Sequence, residues 1–157
     1  MHHLLILFLF FLNPPTKVIS IADGDTFTIL QNNQQTKIRI DAIDAPEKGM
    51  PYYKVSKQYL SDLCFGKSVT VKVSKIDRYG RSVARITLSD GRDISTEMIK
   101  AGMAWHYKKY SNDKVLAALE VAARSKRAGL WLDKNPIAPW DIRKLHRRGI
   151  STKGYFK

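Results

Sequence analysis

Five short runs of alternating apolar residues, each closed by a turn signal, occupy positions 17 to 88, and the chain beyond them is patterned for helices. Runs of five to eight residues are the length of strands, and alternation puts one face of each strand toward a core. The runs fall at 17–21 and 26–30, separated by Ala22-Asp23-Gly24, and at 36–43 after a polar turn over 31–35. In the third run Ile38, Ile40 and Ala42 share one face while Arg39 and Asp41 share the other. Val69, Val71 and Val73 mark a fourth strand, and 82–88 a fifth. Between them Asp77-Arg78-Tyr79-Gly80-Arg81 forms a turn whose glycine permits positive φ.

Helical spacing appears at 53–65, stopped near Gly66, at 95–100 before Gly102, and from an Asn112 cap through Leu116, Leu119 and Ala123 to Gly129. Five strands interrupted and followed by helices predict an α+β fold: a small five-stranded Greek-key barrel of the OB type with about three α-helices. Three segments follow: an apolar segment 1–15, a folded domain 16–142 and a basic tail 143–157.

Charge narrows the partner. Lys and Arg number 27 against 14 Asp and Glu, a formal net charge of +13. Such an excess favours a polyanion, because basic side chains neutralise phosphates and release condensed counterions. Between positions 23 and 47 the balance reverses: Asp23, Asp25, Asp41, Asp44 and Glu47 face only Lys37 and Arg39. Clustered carboxylates repel unless something neutralises them, so the island fits either a cation site or pairing with nearby Lys and Arg. Arg143, Lys144, Arg147, Arg148, Lys153 and Lys157 give the last segment six positive charges and no acid.

Leu4 to Leu12 are nine apolar residues ended by Asn13-Pro14-Pro15. In a helix they would rise about 14 Å, short of the roughly 30 Å hydrocarbon core, so they match the apolar region of a signal peptide and predict export, with membrane contact only through 1–15 if that segment is retained. Cys64 is the single cysteine, which excludes an intramolecular disulfide, and its apolar neighbours predict that it packs as a small hydrophobe.

Hairpin geometry gathers the acids. With the 31–35 turn centred near Asn33 or Gln34, Asp25 lies opposite the 42–44 region, so Asp25 and Asp44 share one end of the hairpin and Glu47 can reach it from the next loop. Carboxylates converging with a loop carbonyl resemble a hard-cation site. The run Trp105-His106-Tyr107-Lys108-Lys109-Tyr110 interleaves aromatics with cations, as surfaces that stack bases do, although Trp105 itself reads as core. Trp131 and Trp140 read as core and docking residues of the C-terminal segment.

Together these strings resemble the staphylococcal nuclease (thermonuclease) family: Asp23-Gly24-Asp25-Thr26, then Arg39 followed by Asp44-Ala45-Pro46-Glu47, then Asp77-Arg78-Tyr79-Gly80-Arg81. The likeness extends over about 18–144, including Gly102-Met103-Ala104-Trp105 and Gly129-Leu130-Trp131. The resemblance implies a calcium-dependent nuclease acting on DNA and RNA and leaving 3′-phosphate ends, with no protein partner, working as a monomer. By the same resemblance, Asp25, Asp44 and the backbone carbonyl of Ala45 would hold Ca²⁺, and Glu47 would act on the attacking water. Arg39 and Arg81 would grip the scissile phosphate, a task suited to a planar, permanently charged guanidinium. Arg78, Lys108 and Tyr110 are the candidates for further substrate contact. Two other readings stand beside this one: a non-catalytic nucleic-acid-binding module on the same fold, and a membrane-tethered envelope protein whose basic surface meets anionic lipid.

Overall fold

The computed structural model describes residues 16–152. The expected segment 1–15 lies outside the described residues. Among those described, no helix is long and apolar enough to cross a membrane.

The chain runs β1 (Lys17–Ile21), β2 (Thr26–Gln31), β3 (Gln34–Ile40), β4 (Ile43–Asp44), α1 (Tyr53–Cys64), β5 (Val69–Ile76), β6 (Ser82–Leu88), α2 (Ile94–Lys100), β7 (Trp105–His106), α3 (Lys114–Ser125), a 3₁₀ turn (Gly129–Leu132) and α4 (Pro139–Arg147). Five strands form one sheet in the order β1-β2-β3-β6-β5, and β4 pairs with β7 separately. The two edges of the five-stranded sheet meet: Lys17 bridges Ser68, and the Val69 N–H donates to the Thr16 carbonyl at 2.9 Å. That contact curls the sheet into the expected barrel. Phe27, Ile38, Ile40, Leu60 and Ile86 fill its interior, each buried side chain contributing about 1.5–3 kcal/mol over leaving it in water.

The hairpin register differs from the expected one. β2 and β3 pair Thr26 with Arg39 and Gln31 with Gln34, so the loop is only Asn32-Asn33. Both residues have positive φ, 51° and 60°, the geometry of a type I′ turn, whose twist matches that of the strands it joins. The polar character of 31–35 points to a longer loop, but its outer residues join the ladder instead. The tighter turn sets Asp25 beside Ile40, whose N–H donates to the Asp25 carbonyl at 2.8 Å.

The third expected strand, 36–43, is broken. Ala42 sits at φ 65°, a left-handed conformation costing about 1–2 kcal/mol for a non-glycine residue. The Asp41 carboxylate accepts the Ala42 N–H at 2.9 Å, and the Ala42 carbonyl accepts the Tyr107 N–H at 2.8 Å, which offsets that cost. The kink moves the chain off the main sheet onto β7, where Asp44 pairs with Trp105.

Two further corrections concern helices. Asp113, not Asn112, caps α3, accepting the N–H groups of Val115 and Leu116. A fourth helix, α4, crosses the expected boundary between domain and basic tail at 142/143. Pro139 opens this helix, where its missing N–H costs nothing. Ile142 buries its inner face, and Trp140 stacks on Tyr107 with centroids 5.2 Å apart. Trp131 packs edge-on against Trp105 in a second small core that includes Leu130 and Ala138, so both tryptophans are structural as expected. Cys64 is buried, and burial pushes its thiol up to about 12.

Candidate active site

Asp25 is placed by the turn before β2. The Asp23 carboxylate accepts the Asp25 N–H at 3.1 Å, an Asx-type turn that fixes the following residue. Glycine is required at position 24, because a Cβ there would stand 1.9 Å from Ser56 Oγ and 2.8 Å from Ala45 Cβ. Gly24 thus lets α1 and the loop after β4 close on the turn. The Asp25 carboxylate is then held on both oxygens: Thr26 Oγ1 donates to Oδ1 at 2.9 Å, and the Ala45 N–H donates to Oδ2 at 2.7 Å.

Asp44 comes from the other side, on β4, with 2 % of its surface exposed. One guanidinium spans both acids: Arg39 Nη2 lies 2.9 Å from Asp44 Oδ1 and 3.3 Å from Asp25 Oδ2. Burial pushes the Asp44 carboxyl up to about 6, against the hydrogen bond from Arg143. Burial and the neighbouring Asp25 charge likewise push Asp23 up to about 6. Two carboxylates taken out of water at this separation carry more negative charge than Arg39 alone relieves.

Arg81 enters through the parallel pairing of β3 with β6, which aligns Arg39 with Val83 and so sets the residue preceding β6 beside the hairpin. Its Nε donates to Asp77 Oδ2 at 2.8 Å, and its Nη1 reaches Thr26 Oγ1 at 3.5 Å. Thr26 therefore links Arg81 to Asp25. Glu47 lies at the rim, 42 % of its side chain exposed, on the loop that Pro46 introduces. Arg39, Arg81, Asp25, Asp44, Ala45 and Glu47 are thus gathered in one patch, as the sequence predicts.

The sequence presents Arg143 of α4 only as tail charge. In the fold it donates to Oδ2 of Asp44 and to Oε1 of Glu47, and its Nη1 stands 3.4 Å from Asp44 Oδ1. The available signal is Pro139 followed by Ile142 and Leu145, a helix start with one apolar face.

The substrate candidates divide. Tyr110 is exposed, 4.8 Å from Tyr107 in an edge-on contact, with Lys75 and Lys109 over its ring at 5.3 and 5.5 Å. Tyr107 in turn carries Arg143 over its ring at 5.9 Å, so the aromatic pair borders the acids. Arg78 stays on the exposed turn, stacked over Tyr79 at 4.8 Å. Lys108 is exposed and pairs within the fold: its Nζ is 2.6 Å from the buried Glu120, which also accepts the His106 N–H.

Residues 37–133 match the family described as staphylococcal nuclease homologue. The chain belongs to the staphylococcal nuclease family. It is 39% identical over 132 residues to an uncharacterized endonuclease of Escherichia coli O157:H7, covering 84% of this chain and 85% of the relative. It is 37% identical over 145 residues to a micrococcal nuclease of Shigella flexneri, covering 86% of this chain and 83% of that one. A staphylococcal-like nuclease of Arabidopsis thaliana is 41% identical over 133 residues, 82% of this chain and 41% of the plant protein. This member of the staphylococcal nuclease family is a hydrolase of phosphodiester bonds in nucleic acid, and Arg39, Asp44, Glu47 and Arg81 lie in the portion that the family match covers.

Proposed function

We propose that the enzyme is a calcium-dependent nuclease that cleaves DNA and RNA and leaves 3′-phosphate ends. The observation that carries the reading is the Arg39 guanidinium set between two buried carboxylates, 2.9 Å from Asp44 and 3.3 Å from Asp25. A site that only bound nucleic acid would gain nothing from desolvated acids facing phosphate.

The donor set fits the cation: Asp25, Asp44 and the Ala45 carbonyl are hard oxygen donors on a turn, a two-residue strand and a loop, an adaptable frame of the kind Ca²⁺ accepts. When bound, Ca²⁺ would supply Lewis-acid polarisation of a phosphate oxygen. Arg39 and Arg81 would donate paired hydrogen bonds to the non-bridging oxygens and stabilise the charge that grows in the transition state. Glu47, outside the buried pair and open to solvent, would take the proton of the attacking water. Departure of the 5′ oxygen then leaves phosphate on the 3′ side. The exposed Tyr110 offers its ring to bases, and Lys75 and Lys109 offer charge to the backbone.

The apolar run 4–12 supports export as the route by which such an activity reaches its substrate. The deciding experiment is digestion of plasmid DNA and of a defined RNA with Ca²⁺, with Mg²⁺ and with excess EDTA. Cleavage of both with Ca²⁺ alone is the expected result, and full cleavage in EDTA would refute the metal dependence.

A further inference from the structure

We propose that Arg143 is a resident counter-cation of the acidic pocket, which α4 supplies and a divalent cation must displace. The inference rests on the reading that Asp25 and Asp44 hold that cation.

Both oxygens of Asp44 are engaged. Arg39 Nη2 takes Oδ1 at 2.9 Å, and Arg143 Nη2 takes Oδ2, while the other arm of Arg143 takes Glu47. Two guanidinium groups hold Asp44, and a dication brought beside both would be repelled by them. One arginine has to yield. Arg39 is 12% exposed, sits on β3 inside the main sheet and also donates to the Ile40 carbonyl at 2.9 Å. Arg143 is 32% exposed and rides on a nine-residue helix near the end of the described chain. Of the two, Arg143 is the one free to leave.

The helix has its own anchors, so release of the side chain does not require α4 to unfold. Ile142 is buried, and the Trp140–Tyr107 stack pins the first turn. These apolar contacts hold α4 in place while its arginine exchanges between the acids and solvent.

The test is calorimetric titration of the full chain with Ca²⁺ alone, no nucleic acid present, for the wild type, Arg143→Gln and Arg143→Lys. Arg143→Gln should bind Ca²⁺ about two- to fivefold more tightly, the range that a partly exposed ion pair corresponds to. Arg143→Lys, which keeps the charge but loses the two-armed grip, should fall between. Hydrogen exchange checks the anchoring: amides of residues 143–147 should keep their protection on Ca²⁺ addition in both the wild type and Arg143→Gln. Loss of protection in the wild type would overturn the side-chain exchange. Equal or weaker Ca²⁺ binding by a folded Arg143→Gln would overturn the proposal and leave Arg143 a structural pin. Absence of Ca²⁺ binding by every variant would instead overturn the metal assignment, and the displacement with it.

Discussion

Arg81 and Asp77 close a ring across the turn between β5 and β6. The Asp77 carboxylate accepts the Arg81 backbone N–H at 3.0 Å and the side-chain Nε at 2.8 Å. Burial opposes ionisation of Asp77, but hydrogen bonds from the Arg81 backbone and side chain outweigh it and hold the carboxyl below its usual range. The guanidinium is thereby oriented before any substrate arrives, and pre-oriented donors cost no rearrangement during reaction.

Arg81→Lys should therefore lower turnover by about 10²–10³ while changing affinity for a short single strand far less. Asp77→Ala should reproduce part of the loss with Arg81 still present, because the guanidinium loses its guide. Single-turnover cleavage beside equilibrium binding at fixed salt separates the two effects. Turnover by Arg81→Lys within about threefold of wild type would reduce Arg81 to a turn residue.

Glu47→Gln keeps the size and hydrogen-bonding reach of the side chain but cannot take a proton. Cleavage should fall by about 10²–10⁴, the usual worth of a positioned base. Nucleic-acid affinity should hold or rise, since one negative charge leaves the rim. The checks are cleavage rate and strand binding on the same preparation, and unchanged cleavage would remove Glu47 from the chemistry.

The raised Asp44 group makes a pH prediction for the metal-free protein. Its folded value of about 6 lies above the ordinary 3.8, so between these the folded state binds the proton more readily than the unfolded chain. Stability from this group therefore rises as pH falls through about 6 and is complete below about 4. Urea melts in EDTA should show the wild type gaining about 1 kcal/mol or more on Asp44→Asn between pH 8 and pH 5. Parallel pH dependences would refute the buried, proton-seeking carboxyl.

The Asn32-Asn33 turn gives a test of register. Asn33→Val places a β-branched residue at φ 60° and should cost about 1–2 kcal/mol. Asn33→Gly should be neutral or stabilising, because glycine adopts that φ freely. Thermal melts of the two variants decide it, and a valine variant as stable as the glycine one would contradict the turn type.

How far the sequence carries differs from element to element. β6 and α1 are legible almost to the residue, because their signals are local: alternation in one, 3.6-residue spacing and Gly66 in the other. The meeting of Asp25 with Asp44 is legible as well, though through a register shifted from the true one. The left-handed Ala42 carries no signal of its own, since its conformation follows from Tyr107 and Asp41, and only the first is distant in sequence. The nearness of Arg39 to Arg81 depends on a parallel pairing of β3 with β6 that no local pattern announces. Arg143 stays hidden for the opposite reason: its charge is conspicuous, and the basic run around it outweighs the helix start at Pro139.

The pairing of Asp44 with Trp105 has a consequence during synthesis. A nascent chain that has reached residue 100 already contains Asp25, Arg39, Asp44, Glu47 and Arg81. β4 has no partner strand until Trp105 and His106 emerge, so until then only Arg39 and the Ala45 N–H hold Asp44 toward Asp25. Chains fold as their elements leave the ribosome, and this one acquires an assembled cutting centre only after two thirds of it has been made. The order of residues along the chain thus delays completion of the nuclease centre until its last third is being made.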